Sequence, residues 1–92
     1  MGEIIRSEWT ITNNEKCRFL IELLLTDDWS EEFNFMVEVH NTYIGSPVKL
    51  RFADYMHSQG LVKDARNNEY IYAVSVKGRK WLDKQKEKLN EQ

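Results

Sequence analysis

Ser46-Pro47 and Gly60 bracket the stretch that most limits what this chain can become. Serine is a favoured helix N-cap, and a proline just after it sits where its missing N–H costs nothing. Gly60 suits the left-handed conformation that ends a helix. Between these marks, Val48, Phe52, Tyr55 and Met56 share one side, with Ala53 at its border. The pattern predicts a helix over 46–59 that hands over to an extended segment.

The flanking sequence is punctuated in the same way. "TNNE" at 12–15 reads as a capping box, with Thr12 at the N-cap and Glu15 three residues on. It opens a helix on which Cys17, Leu20, Ile21 and Leu24 form an i, i+3, i+4, i+7 stripe, with Phe19 and Leu23 as a second apolar edge. "DWSE" at 28–31 repeats the device. Phe33, Met36, Val37 and His40 then predict a second helix over about 29–42, although Phe35, Val39 and Tyr43 also satisfy the period-two alternation of a strand. After Gly60, "LVKDA" and "EYIYAVSV" are β-branched and aromatic around a turn-forming "RNN", which predicts strands at 61–65 and 69–75. The remainder predicts a closing helix over 77–91 with Trp81, Leu82 and Leu89 as apolar anchors.

A chain of 92 residues suits one domain, 1–92, with 1–12 as an N-terminal segment. At this size only about 60% of the unfolded surface is buried on folding, so the core must be economical. No apolar run nears the roughly 20 residues needed to span a bilayer, and "MGEIIRSEW" lacks the form of a secretion signal, so a cytoplasmic protein without a membrane partner is expected. The single cysteine, Cys17, allows no intrachain disulfide or cysteine metal cluster, and it reads as a small core residue rather than a reactive thiolate. His40 has no second ligand at metal spacing and reads as a structural histidine. No nucleophile–base set or phosphate loop is present, so neither catalysis nor a cofactor or metal is expected. The charge is uneven: positions 1–45 hold nine acidic and three basic residues, whereas 46–80 hold seven basic and three acidic. A basic flank on an otherwise acidic chain points to a polyanionic partner.

The expected order, helix-helix-helix-strand-strand-helix, is that of a winged helix, and from 46 to 83 the resemblance is specific. "MHSQGLV" resembles the end of a recognition helix entering the wing in MarR- and PadR-like DNA-binding regulators. "YAVSVKGRKWL" is similar to their wing exit, with Val74, Ser75, Val76, Lys77, Gly78 and Arg79 at the matching positions. The resemblance implies a mainly α fold with a small β-hairpin. It also implies that double-stranded DNA is met by Ser46, Lys49 and Arg51 on the helix and by Lys63, Arg66, Asn67 and Asn68 on the wing over 61–76. Lys77, Arg79 and Lys80 would approach phosphates. Arginine can pair with a guanine edge, whereas lysine mostly supplies sequence-blind attraction.

A transcriptional regulator of this kind works as a homodimer over two half-sites, here through Ile4, Ile5, Trp9, Ile11, Trp81, Leu82 and Leu89. Trp9 serves equally well as a residue folded back on its own core. A second reading keeps the winged helix but gives it a protein partner, as in viral or mobile-element proteins that block a host protein. The outward face of 46–59 suits that reading, because it mixes Pro47, Leu50, Arg51, Asp54, His57 and Ser58. A third, RNA binding, would use Tyr70 and Tyr72 on one strand face. The DNA reading has one premise, that the cations of 46–80 gather on a single flank.

Overall fold

Thr12 opens the first helix as its sequence implies. Its side chain accepts a hydrogen bond from the Glu15 N–H (3.1 Å), and the Glu15 carboxylate accepts one from the Thr12 N–H (3.3 Å). The helix, α1, runs Asn13–Thr26 and stops at Asp27, which takes the left-handed conformation (φ 60°) and donates its N–H to the Leu23 carbonyl. Its buried stripe is Phe19, Leu20 and Leu23, while Leu24 faces outward and Cys17 is half-buried. Both expected edges therefore contribute: Leu20 from the first and Phe19 and Leu23 from the second are buried, Cys17 and Ile21 are partly so, and only Leu24 turns away. The computed structural model describes residues 4–65 and 68–90, with the side chains of 68–70 and 89–90 outside that description.

The expected helix over 29–42 is absent. A 3₁₀ turn at Glu31–Phe33 leads instead into a strand, β2 (Met36–Asn41). The alternation decided the matter: Phe35 and Val37 are buried and Val39 is half-buried, while Glu38 and His40 are exposed on the other face. Aromatic and β-branched side chains at period two favour a pleated, half-buried surface over a helix.

The helix expected over 46–59 is also corrected. Its first half is a strand, β3 (Ser46–Arg51), and only Phe52–Ser58 is helical (α2). The cause lies just upstream. The Asn41 side chain accepts hydrogen bonds from the N–H groups of Tyr43 (2.9 Å) and Ile44 (3.0 Å), and Gly45 takes φ 78°. This tight turn sends the chain straight back along β2, with Asn41 opposite Ser46 and Met36 opposite Arg51. Val48 and Leu50 then face inward, and Pro47, Lys49 and Arg51 face outward. Pro47 is tolerated because β3 is an edge strand, where a missing N–H need not break a ladder.

On the other edge, a short strand β1 (Ile5–Ser7) pairs parallel to β2, giving the sheet order β1-β2-β3. Arg6 ties this strand to α1 through a bidentate ion pair with Glu15 and lies over the Phe35 ring (4.9 Å). After α2, strands β4 (Val62–Ala65) and β5 (Asn68–Val74) form an antiparallel hairpin, and α3 (Val76–Asn90) closes the order. The hairpin and the closing helix stand where the sequence puts them. The molecule is nevertheless a small α+β domain that begins with a strand and contains two sheets, not a mainly α winged helix of order helix-helix-helix-strand-strand-helix.

Phe52 sits at the centre of one buried cluster. Its ring meets Phe19 edge-on at 5.0 Å, stacks on Phe33 at 5.6 Å and packs against Phe35 at 4.8 Å. No helix among the described residues is long and apolar enough to cross a membrane.

Candidate nucleic-acid interface

Ser75 fixes the start of α3. Its N–H reaches the Leu61 carbonyl (3.2 Å), its hydroxyl donates to the Gly60 carbonyl (2.6 Å) and the same oxygen accepts from the Gly78 N–H (2.9 Å). A side-chain oxygen accepting from the third helical N–H is the usual N-cap arrangement. Gly78 is required there, since a methyl group on it would run into the Leu61 carbonyl. The first turn of α3 is thereby pressed against the end of α2, where Gly60 (φ 77°) ends the helix. Lys77 lies over Gly60 and donates to the Gln59 carbonyl at 3.1 Å.

From that root, α3 carries Lys77, Lys80, Lys84 and Lys88, spaced three, four and four residues apart. This spacing places all four on one stripe of a helix, turned away from buried Gly78 and Leu82. The stripe runs about 16 Å at 1.5 Å per residue. Among the described residues, none of the four ammonium groups lies within 4.0 Å of a carboxylate. Trp81 flanks the stripe with part of its ring packed on the core. Val76, Lys77, Lys80, Trp81 and Lys84 line an open groove of about 490 Å³. Arg79 points elsewhere and pairs with Asp83 at 3.7 Å.

The other expected contacts are dispersed. Ser46 begins β3 and is exposed. Lys49 projects from the outer face of the three-stranded sheet, in register with Glu38. Arg51 is taken up by Asp54, to which its Nε donates at 3.0 Å and its Nη2 at 3.4 Å, and the same carboxylate receives the Tyr72 hydroxyl. Burial opposes ionisation of Asp54, but the bonds from Arg51 and Tyr72 outweigh it and hold the carboxyl below its usual range. Burial, reinforced by that carboxylate, pushes Tyr72 up to about 12. His57 of α2 faces Asp64 of β4 at 3.3 Å. With Phe52, Ala53, Tyr55 and Met56 buried, α2 keeps only a narrow polar edge outside and lacks the free face of a groove-reading helix. Lys63 is exposed on β4. Arg66, Asn67 and the Asn68 side chain lie outside the described residues.

The described cations of 46–80 thus occupy the sheet face, the hairpin and α3 rather than one flank. Lys84 and Lys88 were missed because residues 81–92 hold three charges of each sign, and a segment sum conceals which face each charge takes. Helical spacing from Lys77 was the signal that could have found them.

Of the residues expected at a dimer contact, Ile11 and Leu82 belong to the protomer's own core. Ile4, Ile5 and Trp9 are exposed, Trp9 to 84% of its surface, and the Leu89 side chain lies outside the described residues. Cys17 is half-buried, and desolvation raises its thiol pKa, the opposite of a reactive thiolate. A second recess, about 360 Å³, is walled by Trp29, Phe33 and Phe35 with Arg51 at its rim. Among the described residues no three His, Cys, Asp or Glu side chains cluster as metal ligands would. No family model, no curated protein and no solved structure matches this chain.

Proposed function

We propose that this protein binds nucleic acid through the sugar–phosphate backbone, along the lysine stripe of α3. The observation that carries the reading is the alignment of Lys77, Lys80, Lys84 and Lys88 without carboxylate partners among the described residues. Unpaired ammonium groups at helical spacing present a row of compact charges to a polyanion, and neutralising each phosphate releases condensed counterions. The acidic residues concentrated in positions 1–45 orient the encounter, since they repel the ligand from other surfaces. Duplex DNA and a regulatory role are what the resemblance implies. The backbone reading requires neither a recognition helix nor base contacts from Ser46, Lys49 and Arg51.

The test is binding of labelled single-stranded and duplex oligonucleotides across a salt series. With four lysines engaged, log affinity falls against log salt with a slope of about −3 for a single strand and closer to −4 for a duplex. The joint change Lys80→Ala and Lys84→Ala reduces the slope by about 1.4 for a single strand and nearly 2 for a duplex, whereas Lys49→Ala on the sheet face leaves it unchanged. Failure to bind either oligonucleotide at about 50 mM salt overturns the reading. So does capture by anionic lipid vesicles alone.

A second reading, a protein partner or self-association, is favoured by the apolar groups turned to water. Tyr43 is 99% exposed at the β2–β3 turn, beside exposed Ile44, and Trp9 is nearly as open. Such groups mark contact surfaces when they cluster. Sedimentation of the wild type against Trp9→Ser measures whether they join copies of the chain.

A further inference from the structure

The lysine stripe alone would serve any polyanion, but the groove beside it is built for more than charge. We infer that it receives an unpaired nucleobase, stacked on Trp81, while Lys77, Lys80 and Lys84 hold the phosphates on either side. This rests on the nucleic-acid reading of α3 and narrows its partner to single-stranded nucleic acid.

Three features carry it. Trp81 stands among the cations, four residues after Lys77, one after Lys80 and three before Lys84, so an aromatic surface and the phosphate-binding groups share one concavity. The indole is half-buried and packs against the core, and a platform held before any ligand arrives lowers the ordering cost of stacking on it. Val76, 70% exposed at the head of the helix, adds an apolar wall where a purely phosphate-binding surface has no use for one. Lys77, tethered to the Gln59 carbonyl, is placed at the same end in advance. The groove, about 490 Å³, falls in the size range of sites that hold small organic ligands. Bases in a duplex are stacked on their neighbours and cannot enter, whereas an unpaired base offers its π-face to any aromatic platform, with little regard for sequence.

Fluorescence anisotropy with the full chain separates the possibilities, using three probes of equal length: an oligothymidylate, its abasic deoxyribose-phosphate counterpart and a blunt duplex. The oligothymidylate binds tightest, and loss of its bases weakens binding about tenfold or more. Trp81→Leu, which keeps an apolar contact with the core but removes the stacking surface, brings oligothymidylate down to the abasic level. Trp81→Phe restores part of the difference. Circular dichroism confirms that each variant is folded. Equal binding of the base-bearing and abasic strands by the wild type overturns the stacking inference and leaves the backbone reading standing, as does tighter binding of the duplex. If none of the three probes binds, the reading of α3 fails and the inference falls with it.

Discussion

Tyr72 and Glu15 each join two elements through a single ionisable group, and they fail at opposite ends of the pH scale. The Tyr72 hydroxyl donates a hydrogen bond to Asp54, which also accepts from Arg51. Its pKa is raised from 10.0 to about 12, so the stability it contributes is complete below pH 10 and lost as pH rises through about 12. Tyr72→Phe lowers neutral stability by about 1–2 kcal/mol and shrinks the alkaline loss in that window, as chemical denaturation at several pH values would record. Glu15 is the converse case. The Arg6 guanidinium, helped by Thr12, holds its carboxyl below the usual 4.5. Its contribution is present above pH 4.5 and disappears as pH falls through the lower folded value, so Glu15→Gln flattens the acid limb of the stability curve. Gly78→Ala should cost about 1–3 kcal/mol in thermal unfolding, because the clash is with the rigid Leu61 backbone rather than with a side chain that can turn away.

At the scale of elements, the β2–β3 hairpin shows why part of the fold was legible and part was not. Ser-Pro before an apolar residue satisfies a helix start and an edge strand alike, because proline's missing N–H is harmless in both. Phe52, Tyr55 and Met56 are indeed helical partners, and Val48 joined their stripe only because an inward strand position fell at the same offset. The turn should have decided it. Asn41 and Gly45 make a loop of a few residues, which forces the downstream segment to run back beside the upstream one. Gly45→Ala tests its importance: nothing lies within 4 Å of the site, so the cost is purely that of the left-handed backbone, about 1 kcal/mol by denaturant titration. By contrast, α1, the β4–β5 hairpin and α3 were legible because their start and stop signals agreed with their periodicity. The lysine stripe was equally legible in principle, being a matter of spacing within one helix.

For the whole molecule, what escaped the sequence was order and pairing. A strand as short as Ile5–Ser7 has no period to detect, and its parallel pairing with a segment 31 residues downstream is a tertiary event. Once β1, β2 and β3 exist, the first half supplies a sheet where a helical layer was expected, and the class changes from mainly α to α+β. The candidate site changed with it. Net charge by segment suggested a basic flank, but Lys49 stands on the sheet in register with Glu38 and Arg51 is paired with Asp54, leaving α3 as the element that aligns four lysines along one face.

Ser75 grips α3 at its root through its bonds to Gly60, Leu61 and Gly78, and Leu82 is the last fully buried side chain of the helix among the described residues. Beyond that point the helix resembles a cantilever, since 83–88 are exposed apart from half-buried Gln85. Backbone amides past Leu82 should therefore trade their protons with solvent faster than those of the first two turns. An oligonucleotide laid along the outer beam should slow them, so that deuterium uptake would report occupancy even where no part of the fold moves.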